Sequence, residues 1–216
     1  MIFNMLKKIL CFLFIPFCAF GDDCIKYKKT PVITIKNPEW TKTVVLSENP
    51  MDEYNGKYIA FKLHGTTETS LIKKYDIDFG FIPEDDGYCL FIKGVDVSIG
   101  YENFLVKIDN SHKIDSCEYN AILKHEEKHI DADLSILKDL EPDIKNSVFN
   151  AINSVMPIYA KDIQTADLLL DELYKKIENH PELVLLDKKI DAAQEIRNRR
   201  IDQEEDNHEL KACNLN

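Results

Sequence analysis

Glycine is missing from the second half of this 216-residue sequence, since all seven glycines lie at or before Gly100. Residues 101–216 are interrupted only by three prolines, Pro142, Pro157 and Pro181. Glycine and proline are the strongest local markers of turns and loops, so the chain changes character near residue 110. We therefore expect short strands before that point and long helices after it.

The sequence also has no apolar run long enough to span a bilayer. The most apolar run, Ile9–Phe20, falls short of the roughly 20 residues that a spanning helix needs. Lys7 and Lys8 precede this run, and Ala19-Phe20-Gly21 places small residues at the two positions that a signal peptidase reads. Residues 1–21 are therefore predicted to be a secretory signal peptide, and the mature chain to begin near Asp22. We expect an exported soluble protein, periplasmic or secreted, without membrane insertion.

Positive charge is scarce. The chain has 27 Lys and Arg against 38 Asp and Glu, a net charge of -11 at pH 7. Removal of Lys7 and Lys8 with the signal peptide leaves 25 against 38, so the mature chain carries a net charge of -13. Nucleic acid and anionic membrane surfaces are therefore not expected as partners.

Zinc knuckles are excluded, because no two cysteines form a CxxC pair. Four cysteines remain in the predicted mature chain, namely Cys24, Cys89, Cys117 and Cys213. In an oxidising compartment two disulfides are the expected outcome, with three connectivities open.

The fold class follows from the apolar patterning. Short β-branched or aromatic runs bounded by turn residues predict strands at 32–35, 43–46, 58–63, 88–92, 95–99 and 104–108, and Leu71–Lys74 is a candidate short helix. Helical spacing predicts helices at 116–139, 142–156, 158–178 and 182–212. The prediction is an α+β fold, with a small antiparallel sheet in 22–115 and a predominantly helical part in 116–216, together forming a single domain over 22–216.

One motif carries chemistry. The segment His125-Glu126-Glu127-Lys128-His129 has the pattern HExxH in the middle of a predicted helix. Histidines four residues apart lie on one face, about 6 Å apart along the axis, so both imidazoles can bind one Zn²⁺. Glu126 then lies beside the open coordination position, where a water binds.

The helical wheel separates the two adjacent glutamates. Glu126 is predicted to face inward with the histidines, whereas Glu127 and Lys128 point away. The predicted buried stripe of this helix is Tyr119, Leu123, Ile130 and Leu137. We therefore expect a zinc metallopeptidase acting on a peptide or protein substrate, with His125 and His129 as metal ligands and Glu126 as the catalytic general base.

The stretch Cys117 to Ile130, together with the strand before it, resembles the zincin group of metallopeptidases. In that group an edge strand precedes the HExxH helix, which would make Phe104–Ile108 the strand that binds an extended peptide. The chain is also similar to uncharacterised bacterial exported proteins classed as zinc-dependent proteases. The matching segments are Leu63–Thr67 with its G-x-T pattern, the Cys89 strand Tyr88–Leu90, and Cys117–His129.

The third metal ligand is left open by the motif. A metzincin would have Gly and His where Ala132 and Ser135 stand, and a thermolysin-like gluzincin would have Glu where Phe149 stands. Glu141 is the nearest downstream glutamate, but on a continuous helix it would lie about 18 Å beyond His129.

A conditional argument favours the C-terminal helix. If Cys117 pairs with Cys213 across antiparallel helices, counting eight residues inward from each places Glu205 opposite His125 and Asp202 near the next turn. Either carboxylate then completes the site.

Other interpretations stay open. Asp131 and Asp133 are candidates for orienting a ligand imidazole, although exposed helix residues are the commoner explanation. His64 and His112 stand in separate segments and receive no role. The rival functions are a non-catalytic exported binding or scaffold protein of the cell envelope, and a degenerate zincin that binds metal without a complete site. Substrate, cleavage specificity and oligomeric state are not determined by the sequence.

Overall fold

A computed structural model describes residues 22–48 and 64–205 together with Cys213. The predicted signal peptide, 1–21, and the predicted strand 58–63 lie outside these residues. The described chain forms a five-stranded sheet, mostly from its N-terminal half, followed by helices. The α+β fold class predicted from the sequence is therefore confirmed.

Four strands precede the first long helix, as expected, and one short strand lies among the helices. After a short 3₁₀ helix at Asp22–Tyr27 come β1 (Val32–Lys36), β2 (Thr41–Ser47), β3 (Gly65–Glu84) and β4 (Gly87–Asp109). The second half contains α1 (Cys117–Asp139), α2 (Glu141–Val155), β5 (Ile158–Ala160), α3 (Ile163–Glu178) and α4 (Pro181–Glu205).

Strand β4 is the centre of the sheet, because each of the other four strands pairs with it. Only two residues connect β3 to β4, a connection that antiparallel neighbours allow, and β5 pairs with β4 antiparallel. Strand β2 pairs with β4 in parallel, from Thr41 opposite Asn103 to Ser47 opposite Asp109. The predicted all-antiparallel sheet is wrong for this pair.

Three predicted strands, 88–92, 95–99 and 104–108, are parts of the single strand β4. Gly94 and Gly100, which look like strand boundaries in the sequence, lie inside it. A Cβ at Gly100 would lie 2.5 Å from Pro38 Cδ, and one at Gly94 would lie 3.2 Å from the Val32 carbonyl oxygen. These glycines mark close approaches of another segment to the strand and do not end it.

The predicted short helix at Leu71–Lys74 is wrong, because these residues belong to β3. Strand β3 is rich in polar side chains and few of its residues are buried. Its sequence therefore lacks the clear alternation of apolar and polar residues that identifies a strand. The extended conformation of these residues is set by pairing with β4 and not by their own β-propensity.

Phe104–Ile108 is not an edge strand, so this prediction is also wrong. Strand β2 pairs along one side of 103–109. Strand β3 also pairs with β4. Just before β3 begins, the His64 carbonyl accepts a hydrogen bond from the Asp109 N–H. Phe104 and Val106 are fully buried. A substrate peptide therefore cannot add to this segment.

The helix predictions hold closely for α1, α2 and α4 within the described residues. Predicted helix 158–178 begins later, since Ile158–Ala160 forms β5 and Asp162 caps α3 by accepting a hydrogen bond from the Thr165 N–H at 2.7 Å. None of the described helices combines the length and apolarity needed to cross a bilayer.

The described chain divides into two compact units. The first comprises residues 22–34, 76–96 and 145–184, and the second comprises 35–48, 64–75, 97–144 and 185–205 with Cys213. The first unit contains the disulfide Cys24–Cys89, and the second contains Cys117–Cys213. The expectation of two disulfides is confirmed.

Each unit has its own apolar core. The most deeply buried side chains of the first unit include Leu90, Val148, Ala151, Ile152 and Ile177. Those of the second include Phe104, Val106, Ile108, Ile136 and Ile190.

Candidate metal centre

Helix α1 carries the HExxH segment and begins at a well-formed cap. The Ser116 hydroxyl accepts a hydrogen bond from the Tyr119 N–H at 3.1 Å, and Glu118 lies in the first turn, where the helix dipole favours a negative charge. The motif therefore sits two turns inside a stable helix start. Its geometry is set by a continuous helix.

The two adjacent glutamates face in the directions predicted by the wheel. Glu126 is 4% exposed, whereas the Glu127 side chain is 44% exposed and forms an ion pair with Lys42 of β2. The buried face of α1 is Ile122, Glu126, Ile130, Asp133, Ile136 and Leu137. Two residues of the predicted stripe, Tyr119 and Leu123, are only half-buried.

His125, His129 and Asp202 form the cluster from which a metal site can be built. The two histidine Nε2 atoms lie 3.1 Å apart, and Asp202 Oδ1 lies 3.5 Å from His125 Nε2 and 3.1 Å from His129 Nε2. One ligand atom from each residue falls within 4.8 Å of the others. Asp202 comes from α4, so two helices converge here.

These distances fit a shared cation. Donors at about 2.0–2.1 Å from a tetrahedral ion lie about 3.3 Å from one another, close to the separations in the cluster. Two imidazoles and one carboxylate are a donor set that Zn²⁺ accepts and that leaves a fourth position open. Asp202 is 57% exposed, so solvent reaches the cluster.

Asn198 fixes the orientation of the His129 ring. His129 Nδ1 lies 3.0 Å from Asn198 Oδ1, and since that amide oxygen accepts, the ring nitrogen donates. A proton on Nδ1 defines the tautomer in which Nε2, the ring nitrogen facing His125 and Asp202, can bind a cation. This is the tautomer that a metal-binding imidazole needs.

Glu126 is held by β3. Thr67 Oγ1 donates a hydrogen bond to Glu126 Oε2 at 2.8 Å. Two residues earlier, a Cβ at Gly65 would lie 2.9 Å from Glu126 Oε1 and 2.6 Å from Ile122 Cγ2. Gly65 thus lets the strand approach the helix closely enough for Thr67 to reach the carboxylate.

The electrostatics of the cluster follow from burial and mutual contact. Burial raises the pKa of Glu126, and the Thr67 hydrogen bond and the two histidines offset this only in part. Burial acts to lower the pKa of His129, but the contacts with Asp202 and Asn198 outweigh it and raise that pKa. Burial acts to raise the pKa of Asp202, yet its contacts with His125 and His129 hold that pKa far below its usual range. Asp202 is therefore ionised at neutral pH.

Helix α4 presents a row of polar residues to α1. Gln194, Asn198 and Asp202 are spaced by four and lie on one face. Asn198 and Asp202 reach the motif histidines, and Gln194 Nε2 donates to Asp133 Oδ1 at 3.1 Å and to the Tyr101 hydroxyl at 2.8 Å. The histidines are thus part of a polar contact between two antiparallel helices.

Asp133 is 4% exposed, so its interpretation as an exposed helix residue is wrong. Its carboxylate accepts from Gln194, and no hydrogen bond to a ligand imidazole is found for it within the described residues. Burial raises its pKa above the ordinary value. Asp131 is exposed, as the commoner interpretation expects.

The candidates for a third ligand are distinguished by the helix register. The disulfide that they assume is confirmed, because Cys117 and Cys213 are bonded, and the helix assumed over 206–212 lies outside the described residues. Asp202 is the carboxylate that meets the histidines, while the side chain of Glu205 lies outside the described residues. Glu141 begins α2 and belongs to no cluster of three potential ligands in the described part of the chain.

Three features were not predicted from the sequence. Asn198 and Thr67 carry no motif of their own, since an Asn on a charged helix and a Thr in a polar strand are unremarkable alone. His64 and His112, 48 residues apart, lie with Nδ1 and Nε2 2.9 Å from each other. The signal for Asn198 in the sequence is its position one turn before Asp202 on the same face.

Comparison with protein-family models, with curated proteins and with solved structures finds no match to this chain.

Proposed function

We propose that the chain is an exported zinc-dependent peptidase that hydrolyses peptide bonds, with His125, His129 and Asp202 as metal ligands. The observation that carries the proposal is the convergence of three donor atoms within 4.8 Å beside the buried carboxylate of Glu126. Perturbed titratable groups gathered around one position, with a nucleophile-activating group next to them, are the usual signature of a catalytic site.

When bound, Zn²⁺ polarises a carbonyl oxygen and makes a water molecule acidic enough to attack near neutral pH. The chain's own groups prepare for this. Asn198 keeps the His129 Nε2 lone pair free, and the ionised Asp202 supplies the negative charge that a divalent cation favours.

Glu126 is the proposed general base. Thr67 binds one carboxylate oxygen, Oε2, and thereby fixes the direction of the other. Glu126 accepts a proton from the attacking water and later transfers it to the leaving amine. The reaction is a direct hydrolysis without a covalent enzyme intermediate.

The substrate is proposed to bind along β3. The segment 103–109 is paired on both sides, whereas β3 has β4 as its single partner strand among the described residues. The start of β3 also contains Gly65 and Thr67, which contact Glu126. An extended peptide added to the outer edge of this strand would have its backbone next to the catalytic carboxylate.

Export is part of the proposal. Two disulfides in a chain of this size are typical of an oxidising compartment, which the cytoplasm is not. The periplasm and the extracellular medium both meet this condition.

The proposal is tested by zinc content and hydrolysis measured on the same preparation. We expect one zinc per chain, hydrolysis of casein or a peptide library, loss of hydrolysis on chelation and its return when Zn²⁺ is restored. His129→Ala should abolish both zinc and hydrolysis. His180→Ala is the control, because that ring accepts a hydrogen bond from the Glu182 N–H at the start of α4 and lies outside the cluster.

Each rival function has its own result. A non-catalytic envelope protein would purify without stoichiometric zinc and would bind none when it is added. A degenerate zincin would bind zinc through the histidines and hydrolyse no peptide bond.

A further inference from the structure

Helix α4 is held by different interactions in its two halves. Among the residues up to Gln203, where the described side chains of this helix end, Ile190 is the last buried one, and every residue from Asp191 to Gln203 is half-buried or exposed. The second half carries Asn198 and Asp202. The part of the helix that completes the metal site is therefore not anchored by apolar burial of its own.

Polar contacts are what join this second half to α1. Besides the contacts of Gln194, Asn198 and Asp202, Arg197 pairs with Asp139 at 2.5 Å. The Asp139 side chain is 61% exposed and the Arg197 side chain 36% exposed, and ion pairs that solvent reaches contribute little to stability. Such contacts set a register, but they hold the helix end weakly.

A covalent bond is present at the same end. Cys117, the first residue of α1, is bonded to Cys213, which lies eleven residues after Asp202. Cys117 is also eight residues before His125. The disulfide therefore ties the start of α1 to the chain eleven residues beyond Asp202, past the described end of α4 at Glu205.

From this arrangement we infer that the Cys117–Cys213 disulfide is a positioning element of the metal site, which makes cation affinity depend on the redox state of these two cysteines. The inference rests on the proposed function, since it concerns the same His125, His129 and Asp202 cluster. With the bond intact, the Asp202 carboxylate stays at a high effective concentration near the histidines. With the bond broken, the cation must recruit it from a weakly held helix end.

The redox step is a simple exchange. A small dithiol gives two electrons and two protons to the Cys117–Cys213 sulfurs, which become two thiols, and the dithiol is oxidised to its own disulfide. The reduced chain retains His125 and His129 but binds the cation less tightly. A chain still in a reducing compartment would thus have a weak site, and oxidation after export would complete it. By linkage, a bound cation makes this disulfide harder to reduce.

The other disulfide provides a matched control. Cys24 and Cys89 belong to the first unit, and neither lies on α1 or α4. Breaking that bond removes a cross-link of comparable kind without touching the helices that carry the ligands.

The experiment measures Zn²⁺ affinity by competition with a chromophoric chelator, on the mature full-length chain. We expect Cys117→Ser/Cys213→Ser to bind Zn²⁺ about 10- to 100-fold more weakly, the range found when groups that orient a ligand are removed. Cys24→Ser/Cys89→Ser should bind it as the wild type does. Equal affinity in wild type and in the Cys117→Ser/Cys213→Ser variant would overturn the inference.

A double-mutant cycle separates positioning from general destabilisation. Asp202→Asn alone should weaken Zn²⁺ binding, and in that background breaking Cys117–Cys213 should cause little further loss, because the disulfide acts through Asp202. Additive losses would show that the bond acts on the whole unit and would overturn the inference.

A second measurement avoids variants that fold poorly. In Cys24→Ser/Cys89→Ser protein, a dithiol can reduce only Cys117–Cys213, and once the dithiol has been removed we expect the reduced protein to lose Zn²⁺ to the chromophoric chelator that the oxidised protein retains, while the far-ultraviolet circular dichroism is unchanged. Retention of Zn²⁺ by the fully reduced protein contradicts the inference. Absence of Zn²⁺ from the oxidised wild type is a different result, which refutes the proposed function itself.

Discussion

The interiors of the two compact units differ in the kind of side chain they bury. Every buried side chain found in the first unit is apolar or a half-cystine, whereas the second unit buries the two carboxylates Glu126 and Asp133. Removing a carboxylate from water is costly unless it is given hydrogen-bond donors. Thr67 supplies one to Glu126, and Gln194 supplies one to Asp133.

We infer from this difference that the two units have separate roles. The first unit contributes apolar burial and a disulfide, and we find no cluster of potential metal ligands among its described residues. The second unit places its polar groups where two helices meet. Substitutions in the two units should therefore have different consequences, for stability in the first and for metal binding and catalysis in the second.

The largest effect is expected for Glu126→Gln, which removes the charge from the polar interior of the second unit and leaves the first untouched. We expect kcat/KM for peptide hydrolysis to fall about 100- to 10,000-fold, the usual contribution of a positioned general base, with zinc content unchanged. The matched control is Glu127→Gln, since that exposed neighbour pairs with Lys42. Comparable losses in both variants would refute the assignment of Glu126.

A substitution in the core of the first unit should lower stability and leave metal binding unchanged. Leu90 is fully buried and lies opposite Ile158 in the β4–β5 pair. We expect Leu90→Ala to lower the free energy of unfolding by about 2–5 kcal/mol, through lost burial and the cavity left behind. Urea denaturation measures this change, and Zn²⁺ affinity of the folded variant should be that of the wild type. A loss of Zn²⁺ affinity in Leu90→Ala would contradict the expectation that the first unit affects stability without affecting metal binding.

Asn198 tests the polar contact between α1 and α4 directly. Asn198→Leu removes the acceptor for His129 Nδ1 while keeping a similar size, and we expect Zn²⁺ affinity to fall about 10- to 100-fold. Asn198→Asp keeps an acceptor oxygen and should bind zinc nearly as well as the wild type. If both variants behave alike, the ring of His129 is oriented by something else.

The smallest effect is expected for Thr67→Val, which keeps the β-branched shape and removes one donor to Glu126. Loss of a single hydrogen bond is worth about 0.5–1.5 kcal/mol, so kcat should fall about 2- to 10-fold with zinc content unchanged. Thr69→Val is the control, because the Thr69 hydroxyl of the same strand donates to the Asn103 carbonyl and not to Glu126. An unchanged rate in Thr67→Val would mean that β3 does not position the carboxylate.

The sequence predicted α1 and the inward direction of Glu126 because a 3.6-residue period is a local signal. It failed for β3, whose polar side chains are ordered by pairing with β4 and not by a buried face. The glycines of β4 misled for a related reason. Gly94 and Gly100 are required because other segments pack closely against them, and a single sequence does not show which segments those are.

The candidates for a third ligand show what residue counts along two helices can predict and what they cannot. Pairing Cys117 with Cys213 predicted the helix whose Asp202 lies beside the two histidines, but it favoured Glu205 and Asp202 equally. The count assumed a regular helix over 206–212, which lies outside the described residues. The contacts His129–Asn198 and His125–Asp202 fix the register instead, and they depend on how the two helices cross.

The central claim is that His125, His129 and Asp202 bind one divalent cation. Crystals of the mature protein grown with Zn²⁺, with an anomalous difference map at the zinc absorption edge, test it most directly. We predict one strong peak within about 2.2 Å of both Nε2 atoms and of an Asp202 oxygen. A map without a peak between these residues, or with the zinc held elsewhere, would contradict it.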